Sequence, residues 1–294
     1  MEKVILDKTL CSVYIGIGKE FAMALQFHKM QGAGNDFIVA DDPGRLWNTN
    51  PDFIRTICDR HKGIGADGLI LLRNTGGDSL PEMEFFNSDG LPASMCGNGL
   101  RCTASFLYRE GLCGRRRKQT ILCWGKEQGS EIMNDDATQV RITMEISEEF
   151  RPYRLENGEP VYKGTVGVPH VIAVRNDVSS LDIETEGRRL RSHPLFQPDG
   201  ANADFVSFRD PAQKEPVLIR TYERGVEAET LACGTGCASA AVVLHQFFRF
   251  PEKVSLLCRG KDHIEVEIFK FCSKLKGVFL TGPAETVFVG EISG

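Results

Sequence analysis

Two Cys-Gly-x-Gly turns, each opening an apolar run, constrain this chain more than any other feature. Cys96-Gly97-Asn98-Gly99 precedes Leu100 to Tyr108, and Cys233-Gly234-Thr235-Gly236 precedes Cys237 to Phe248. In the first run Leu100, Ala104 and Leu107 fall on one helical face. In the second, Ala238, Ala240, Ala241, Val242, Val243 and Leu244 leave almost no polar face. A helix apolar all round belongs inside its domain, and small residues let strands approach it closely. The expected class is α+β, with a curled, mostly antiparallel sheet around each central helix.

The remaining chain reads mainly as strands. Val140 to Ile146 and His263 to Ile268 alternate apolar and polar residues, as half-buried strands do. Leu69–Leu72, Val171–Val174, Val217–Tyr222 and Val287–Val289 are continuous enough to be buried strands. Gly32-Ala33-Gly34-Asn35-Asp36-Phe37 has a faint echo in Gly200-Ala201-Asn202-Ala203-Asp204-Phe205, and each segment precedes one Cys-Gly-x-Gly turn. A duplicated domain explains this better than a solenoid. Two pseudo-symmetric domains are expected, 1–141 and 142–282, with strand 283–294 returning to the first. Residues 1–22 read as a leader outside this pattern, and Met23 could be the natural start.

Composition narrows the function. A chain of 294 residues with 41% hydrophobic and 26% charged residues is of globular type. The net charge of −5 argues against a nucleic-acid surface, and Arg115-Arg116-Arg117-Lys118 reads as a solvated turn. No segment reaches the roughly 18 apolar residues of a membrane span. Ten cysteines occur without a C-x-x-C pair, and Cys58 with His61 lacks a second half for zinc. Mostly reduced, buried thiols in a cytoplasmic protein are expected, with no metal. A homodimer is left open.

A cysteine at a helix start lies where backbone N–H groups and the helix dipole favour thiolate, and the same N–H groups can cradle a carboxylate. With one such sulfur on each side of a substrate, a proton can leave one face of a carbon and return to the other. The amides of Gly97, Asn98, Gly234 and Thr235 would then stabilise the charge beside the reacting carbon. Such chemistry requires no cofactor, metal or pyridoxal ring. Taken singly, either turn is weak evidence, since buried cysteine is also a small hydrophobe.

The combination Lys29-Met30-Gln31-Gly32-Ala33-Gly34-Asn35-Asp36-Phe37, Phe86-Asn87-Ser88-Asp89-Gly90, Met95-Cys96-Gly97-Asn98-Gly99 and Tyr222-Glu223-Arg224-Gly225 with Ala232-Cys233-Gly234-Thr235-Gly236 resembles the diaminopimelate epimerase family. The resemblance runs from about Phe27 to Val289. It implies two pseudo-symmetric domains and cofactor-independent epimerisation of LL- and meso-diaminopimelate, a step towards lysine and peptidoglycan precursors. It implies that Cys96 and Cys233 are the acid/base pair and that His170 and Glu223 tune them. It makes Asn35, Asn87, Asn202 and Arg224 holders of the small amino-acid substrate, with Arg224 on the distal carboxylate. It also implies closure of the domains around substrate, near enough for an oxidised Cys96–Cys233 disulfide.

Three departures from the family stand out. Gly68 replaces a usual glutamine, Val168 replaces the usual asparagine of a Gly-Asn-Pro-His segment, and the Gly225–Thr230 loop is one residue longer. The first two remove hydrogen-bonding groups from the distal end of the site, so turnover of smaller acidic amino acids is an expected extension. The competing readings are a proline or hydroxyproline racemase and a non-catalytic amino-acid-binding module.

Overall fold

The structure, a computed structural model, describes residues 24–76, 79–93, 96–209, 215–272 and 274–293. The leader, 1–22, lies outside the described residues. The first half of the chain forms β1 (Ala24–Gly32), β2 (Asn35–Asp41), α1 (Pro51–Cys58), β3 (Gly68–Arg73), β4 (Glu82–Asn87), α2 (Gly97–Glu110), β5 (Lys118–Cys123), β6 (Lys126–Ile132) and β7 (Gln139–Arg154). The second forms β8 (Pro160–Val166), β9 (Val168–Val174), α3 (Ile183–Arg191), β10 (Asn202–Ser207), β11 (Val217–Glu223), β12 (Ala228–Thr230), α4 (Gly234–Phe248), β13 (Lys253–Leu257), β14 (His263–Phe271), β15 (Lys274–Pro283) and β16 (Glu285–Ser293). Strands far outnumber helices, and the class is α+β.

One order of pairings occurs twice. β1–β2 is antiparallel, β2–β3 parallel across α1, β3–β4 antiparallel, β4–β5 parallel across α2, and β5–β6–β7 antiparallel. β8–β9 is antiparallel, β9–β10 parallel across α3, β10–β11 antiparallel, β11–β13 parallel across α4, and β13–β14–β15 antiparallel. The long strand β7 joins the two series. Its first part pairs with both β6 and β15, and its last part with β8. Beyond Ala284, β15 continues as β16, which pairs with β1.

Both central helices are buried through their middle turns. Cys96 caps α2, which ends at Gly111 in the left-handed region, where glycine carries no side-chain penalty. Leu100, Ala104 and Leu107 are fully buried as their spacing predicts, but so are Arg101, Thr103 and Ser105. The amphipathic reading is therefore too narrow, because the sheet wraps the polar face as well. Ser105 answers burial by donating to the Ala137 carbonyl at 2.6 Å. Helix α4, capped by Cys233, is buried from Gly236 to Leu244. The principal core is one continuous cluster running through α2, β7, β15 and α4. Smaller clusters lie beneath α1 and beneath α3.

One expectation is corrected. Val287–Val289 forms part of β16, but Val287, Phe288 and Val289 are exposed rather than buried. β16 ends the sheet path and pairs with β1 alone, so no helix covers it. Phe288 meets Phe27 edge-on at 6.0 Å. No described helix is long and apolar enough to cross a membrane.

Because the core is continuous, Leu107→Ala in α2 and Leu244→Ala in α4 are each expected to cost about 2–5 kcal/mol. Urea unfolding should show a single transition for both variants. Separate transitions, with each substitution moving only one, would contradict a shared core.

Candidate active site

Each sulfur is the N-cap of a buried helix. Cys96 Sγ accepts from the Gly99 amide at 3.4 Å, and Cys233 Sγ accepts from the Gly236 amide at 3.4 Å. Burial nevertheless pushes both thiols up from their ordinary range. At Cys96 the Gly99 and Asn98 amides and then the Arg101 guanidinium oppose that rise, while Glu223 adds to it. At Cys233 the Glu223 and Asp204 carboxylates add to the effect of burial, against the weaker pull of Thr235 and Gly236. The expected thiolate-favouring field is present, but desolvation outweighs it. Cys102 and Cys123 are pushed up to about 12 by burial and line the core.

Around Cys96 the structure gathers Asn35 and Asn98. The Asn35 amide Nδ2 donates to Asp67 Oδ2 at 2.6 Å, which turns Oδ1 towards the site. That Oδ1 receives the Cys96 thiol at 3.6 Å and Asn98 Nδ2 at 3.3 Å. Asp67 is held in turn by Arg60, which also binds Asp36 through both terminal nitrogens. Lys29 pairs with Asp36 at 2.7 Å. These charges hold the start of β2, and Arg60 and Lys29 keep the Asp36 carboxyl well below the usual carboxylate range against the cost of burial.

Around Cys233 a buried polar chain forms. His170 on β9 and Asn202 on β10 are directly paired across parallel strands. His170 Nδ1 lies 2.6 Å from Asp204 Oδ2, and Asp204 Oδ1 accepts from Thr221 at 2.7 Å. Asn202 Oδ1 accepts from the Arg224 amide at 2.7 Å, leaving its Nδ2 3.4 Å from His170 Nε2. This fixes the Asn202 amide and places the His170 ring proton on Nδ1, towards Asp204. Glu223 ends β11 and accepts from Thr230 Oγ1 at 2.6 Å. Burial raises its carboxyl, while Thr230, His170 and Cys233 pull it back. Arg224 binds the Asp199 carbonyl at 2.9 Å.

The two turns meet over the β7–β15 seam. A methyl group on Gly234 would lie 3.4 Å from Asn98 Oδ1 and 3.7 Å from Leu280 on β15. One on Gly97 would meet Ile142 of β7 at 3.2 Å, and one on Gly167 would meet Thr235 Cγ2 at 3.0 Å. The close approaches are at Gly97 and at Gly167, whose φ is positive, while Gly234 sits at ordinary contact distance from the α2 turn. Asn87, at the end of β4, is exposed and makes no side-chain hydrogen bond to these groups among the described residues.

Known proteins place this arrangement. The diaminopimelate epimerase family model matches residues 27–145 and 162–287. The chain belongs to this family. A diaminopimelate epimerase of Aquifex aeolicus is 37% identical, covering 92% of this chain and 98% of its own length. One of Chlorobaculum tepidum is 36% identical, covering 90% and 100%. Among solved structures, a phenazine biosynthesis protein of the PhzF family from Bacillus anthracis has a TM-score of 0.69 at 15% identity, over 92% of this chain and 99% of its own. A hydroxyproline epimerase from Agrobacterium vitis, with trans-4-hydroxy-L-proline bound, has a TM-score of 0.65 at 14% identity, over 92% and 91%. At such identities these two structures share the fold.

The departures at Gly68 and Val168 have different settings. A Cβ at Gly68 would lie 2.5 Å from the Phe86 carbonyl and 2.6 Å from the Phe85 ring, so the usual glutamine would not fit without movement. Val168 is half-buried beside Gly167, whose φ of +71° turns β8 into β9. The sequence reading missed Asp67, Asp204, Thr221, Thr230 and Arg101. Asp204 had a usable signal, since it is two residues from Asn202 and so on the same face of a strand.

Asp204→Ala would leave the buried His170 Nδ1–H and the Thr221 hydroxyl without acceptors. Urea unfolding should show a loss of about 2–4 kcal/mol. Asp204→Asn, which keeps one carbonyl acceptor, should lose less than half as much. Equal stability of Asp204→Ala and the parent chain would rule out this polar chain.

Proposed function

We infer that this protein is a diaminopimelate epimerase, an isomerase interconverting the LL and meso forms with two cysteines as acid and base. The observation that carries the reading is the meeting of two cysteine-capped helix starts at Gly234 and Asn98, in a chain of this family. One sulfur, as thiolate, takes the α-proton from one face, and the other, as thiol, delivers its proton to the opposite face. The two sulfurs exchange protonation states, and the reverse direction uses them in the opposite order. Charge that develops beside the α-carboxylate is stabilised by the amides of Gly97, Asn98, Gly234 and Thr235. Asn35, Asn87, Asn202 and Arg224 hold the substrate, and Arg224 takes its distal carboxylate. His170 and Glu223 tune the sulfurs. Glu223 acts electrostatically on both, which supports one shared site.

The same reading divides the chain into pseudo-symmetric domains at 1–141 and 142–282, with the last strand returning to the first. The repeated order of strand pairings and the hinge-like passage of β7 between them support it. Closure of these halves would exclude water from the thiols. Free cysteines among the described residues agree with a reducing, cytoplasmic setting.

Solvent deuterium should enter the α-carbon of diaminopimelate, read by mass spectrometry or NMR. Cys96→Ala and Cys233→Ala should each abolish epimerisation. Absence of exchange with the unaltered protein would overturn the enzyme reading in favour of a binding module. Both thiols have raised pKa values, so thiolate is the minor form at neutral pH. Its population, and with it kcat/KM, should climb as pH rises from 7 to 9, by up to about tenfold per unit. A flat profile over that range would contradict a rate limited by thiolate. Competing rates on diaminopimelate, glutamate and aspartate test the extension to smaller acids suggested by Gly68 and Val168. Undetectable turnover of the last two would remove it.

A further inference from the structure

Arg101 is fully buried, one turn into α2, and forms no ion pair with any described acidic residue. Its Nη2 donates to Asn98 Oδ1 at 3.0 Å and its Nε donates to the Pro283 carbonyl at 3.2 Å. Its Nη1 has no hydrogen-bond partner among the described residues. Three glycines border it, Gly282 most tightly. A methyl on Gly282 would lie 3.3 Å from Cζ, one on Gly32 3.4 Å from Nη2, and one on Gly234 3.8 Å from Nη1. The unpartnered nitrogen thus lies beside the α4 turn, while its neighbour grips the α2 turn.

An unpaired buried charge is costly, and proteins usually supply a counter-charge. The titratable groups facing Arg101 are the thiols of Cys96 and Cys102 on α2, Cys237 on α4 and Cys258 after β13. The Asp262 carboxyl, between β13 and β14, also feels it, but burial and Glu285 push that carboxyl up. Burial pushes the Cys96 and Cys102 thiols up, the Cys258 thiol together with burial pushes Cys237 up, and no described carboxylate pairs directly with the guanidinium. The guanidinium thus has no direct counter-ion among the described residues, and the anions the reaction brings are the substrate carboxylate and a thiolate.

We propose that Arg101 is a positioning residue of this site: its guanidinium fixes the Asn98 amide and supplies the positive charge beneath the junction of the two helix starts. Asn98 Oδ1 bound to Arg101 leaves Nδ2 directed at Asn35, so the amide cannot turn over. The fork ties α2 to the end of β15 and approaches Gly234, holding both turns around one anion. This proposal rests on the epimerase reading and assigns the charge that its carboxylate cradle uses.

The test compares the full chain with Arg101→Met and Arg101→Lys. Cα–deuterium exchange of diaminopimelate is followed against pH, and the rate of Cys96 alkylation by iodoacetamide is followed by peptide mass spectrometry. Arg101→Met is expected to lose about 10–100-fold in kcat/KM, chiefly through KM, and to shift the Cys96 alkylation profile up by about one pH unit. Arg101→Lys keeps the charge but not the planar fork, so its alkylation profile should stay near the parent while KM rises. An unshifted profile with kcat/KM within threefold of the parent in Arg101→Met overturns the proposal. If neither variant folds, Asn98→Ala, which removes the amide that the guanidinium fixes, should lower kcat/KM at least about tenfold, chiefly through KM; kcat/KM within threefold of the parent overturns the proposal. Should the parent exchange no α-proton, the epimerase reading fails, while the alkylation profile still decides the charge of Arg101 on Cys96.

Discussion

The pairing of β7 with β15 carries the arrangement on which the site depends. Ile142 of β7 lies under the α2 turn, and Leu280 of β15 lies under the α4 turn. In the antiparallel register these two residues are directly opposite. The two cysteine-capped helix starts are therefore seated on one cross-strand pair, although they are separated by more than a hundred residues of chain. A slip of one residue would turn Ile142 and Leu280 to the other face and separate the turns. The apolar alternation of Val140, Ile142 and Met144, all buried, makes that slip costly.

The two sulfurs share a local geometry but not an electrostatic one. Each accepts from the amide three residues on. Cys96 has the Arg101 guanidinium on its side, whereas Cys233 faces Glu223 and Asp204. The ionised form is thus less disfavoured at Cys96 than at Cys233. The repeated topology therefore leaves the two thiols in unlike charge settings.

Close packing sets the room available around these groups. Phe85 and the Phe86 carbonyl fill the space beside Gly68, where the family usually has a longer polar side chain. The polar network behind Asn35 is built from Asp67, Arg60, Asp36 and Lys29, so the orientation of one amide depends on four charges from three segments. The chain behind Cys233 reaches the same end with a hydrogen-bonded relay of Asn202, His170, Asp204 and Thr221. Both networks answer the same physical demand, which is that buried polar groups are normally partnered.

The sequence alone determined that α4 is a core helix, because its apolar residues leave no face for water, and that Cys96 and Cys233 open the two helices. It also located six of the sixteen described strands, two through their period of two and four as continuous apolar runs. It did not determine the exposure of Val287–Val289, since an apolar run says nothing about whether another element will cover it. Nor did it show Arg101, Asp67 or Asp204 as parts of the site. Their roles arise from contacts between segments distant in the chain, Arg101 with Pro283 and Gly234, Asp67 with Asn35, Asp204 with His170. Periodicity reports which face a residue occupies, whereas the partner on that face is decided by strand register and by the wrapping of the sheet, which only the tertiary structure supplies.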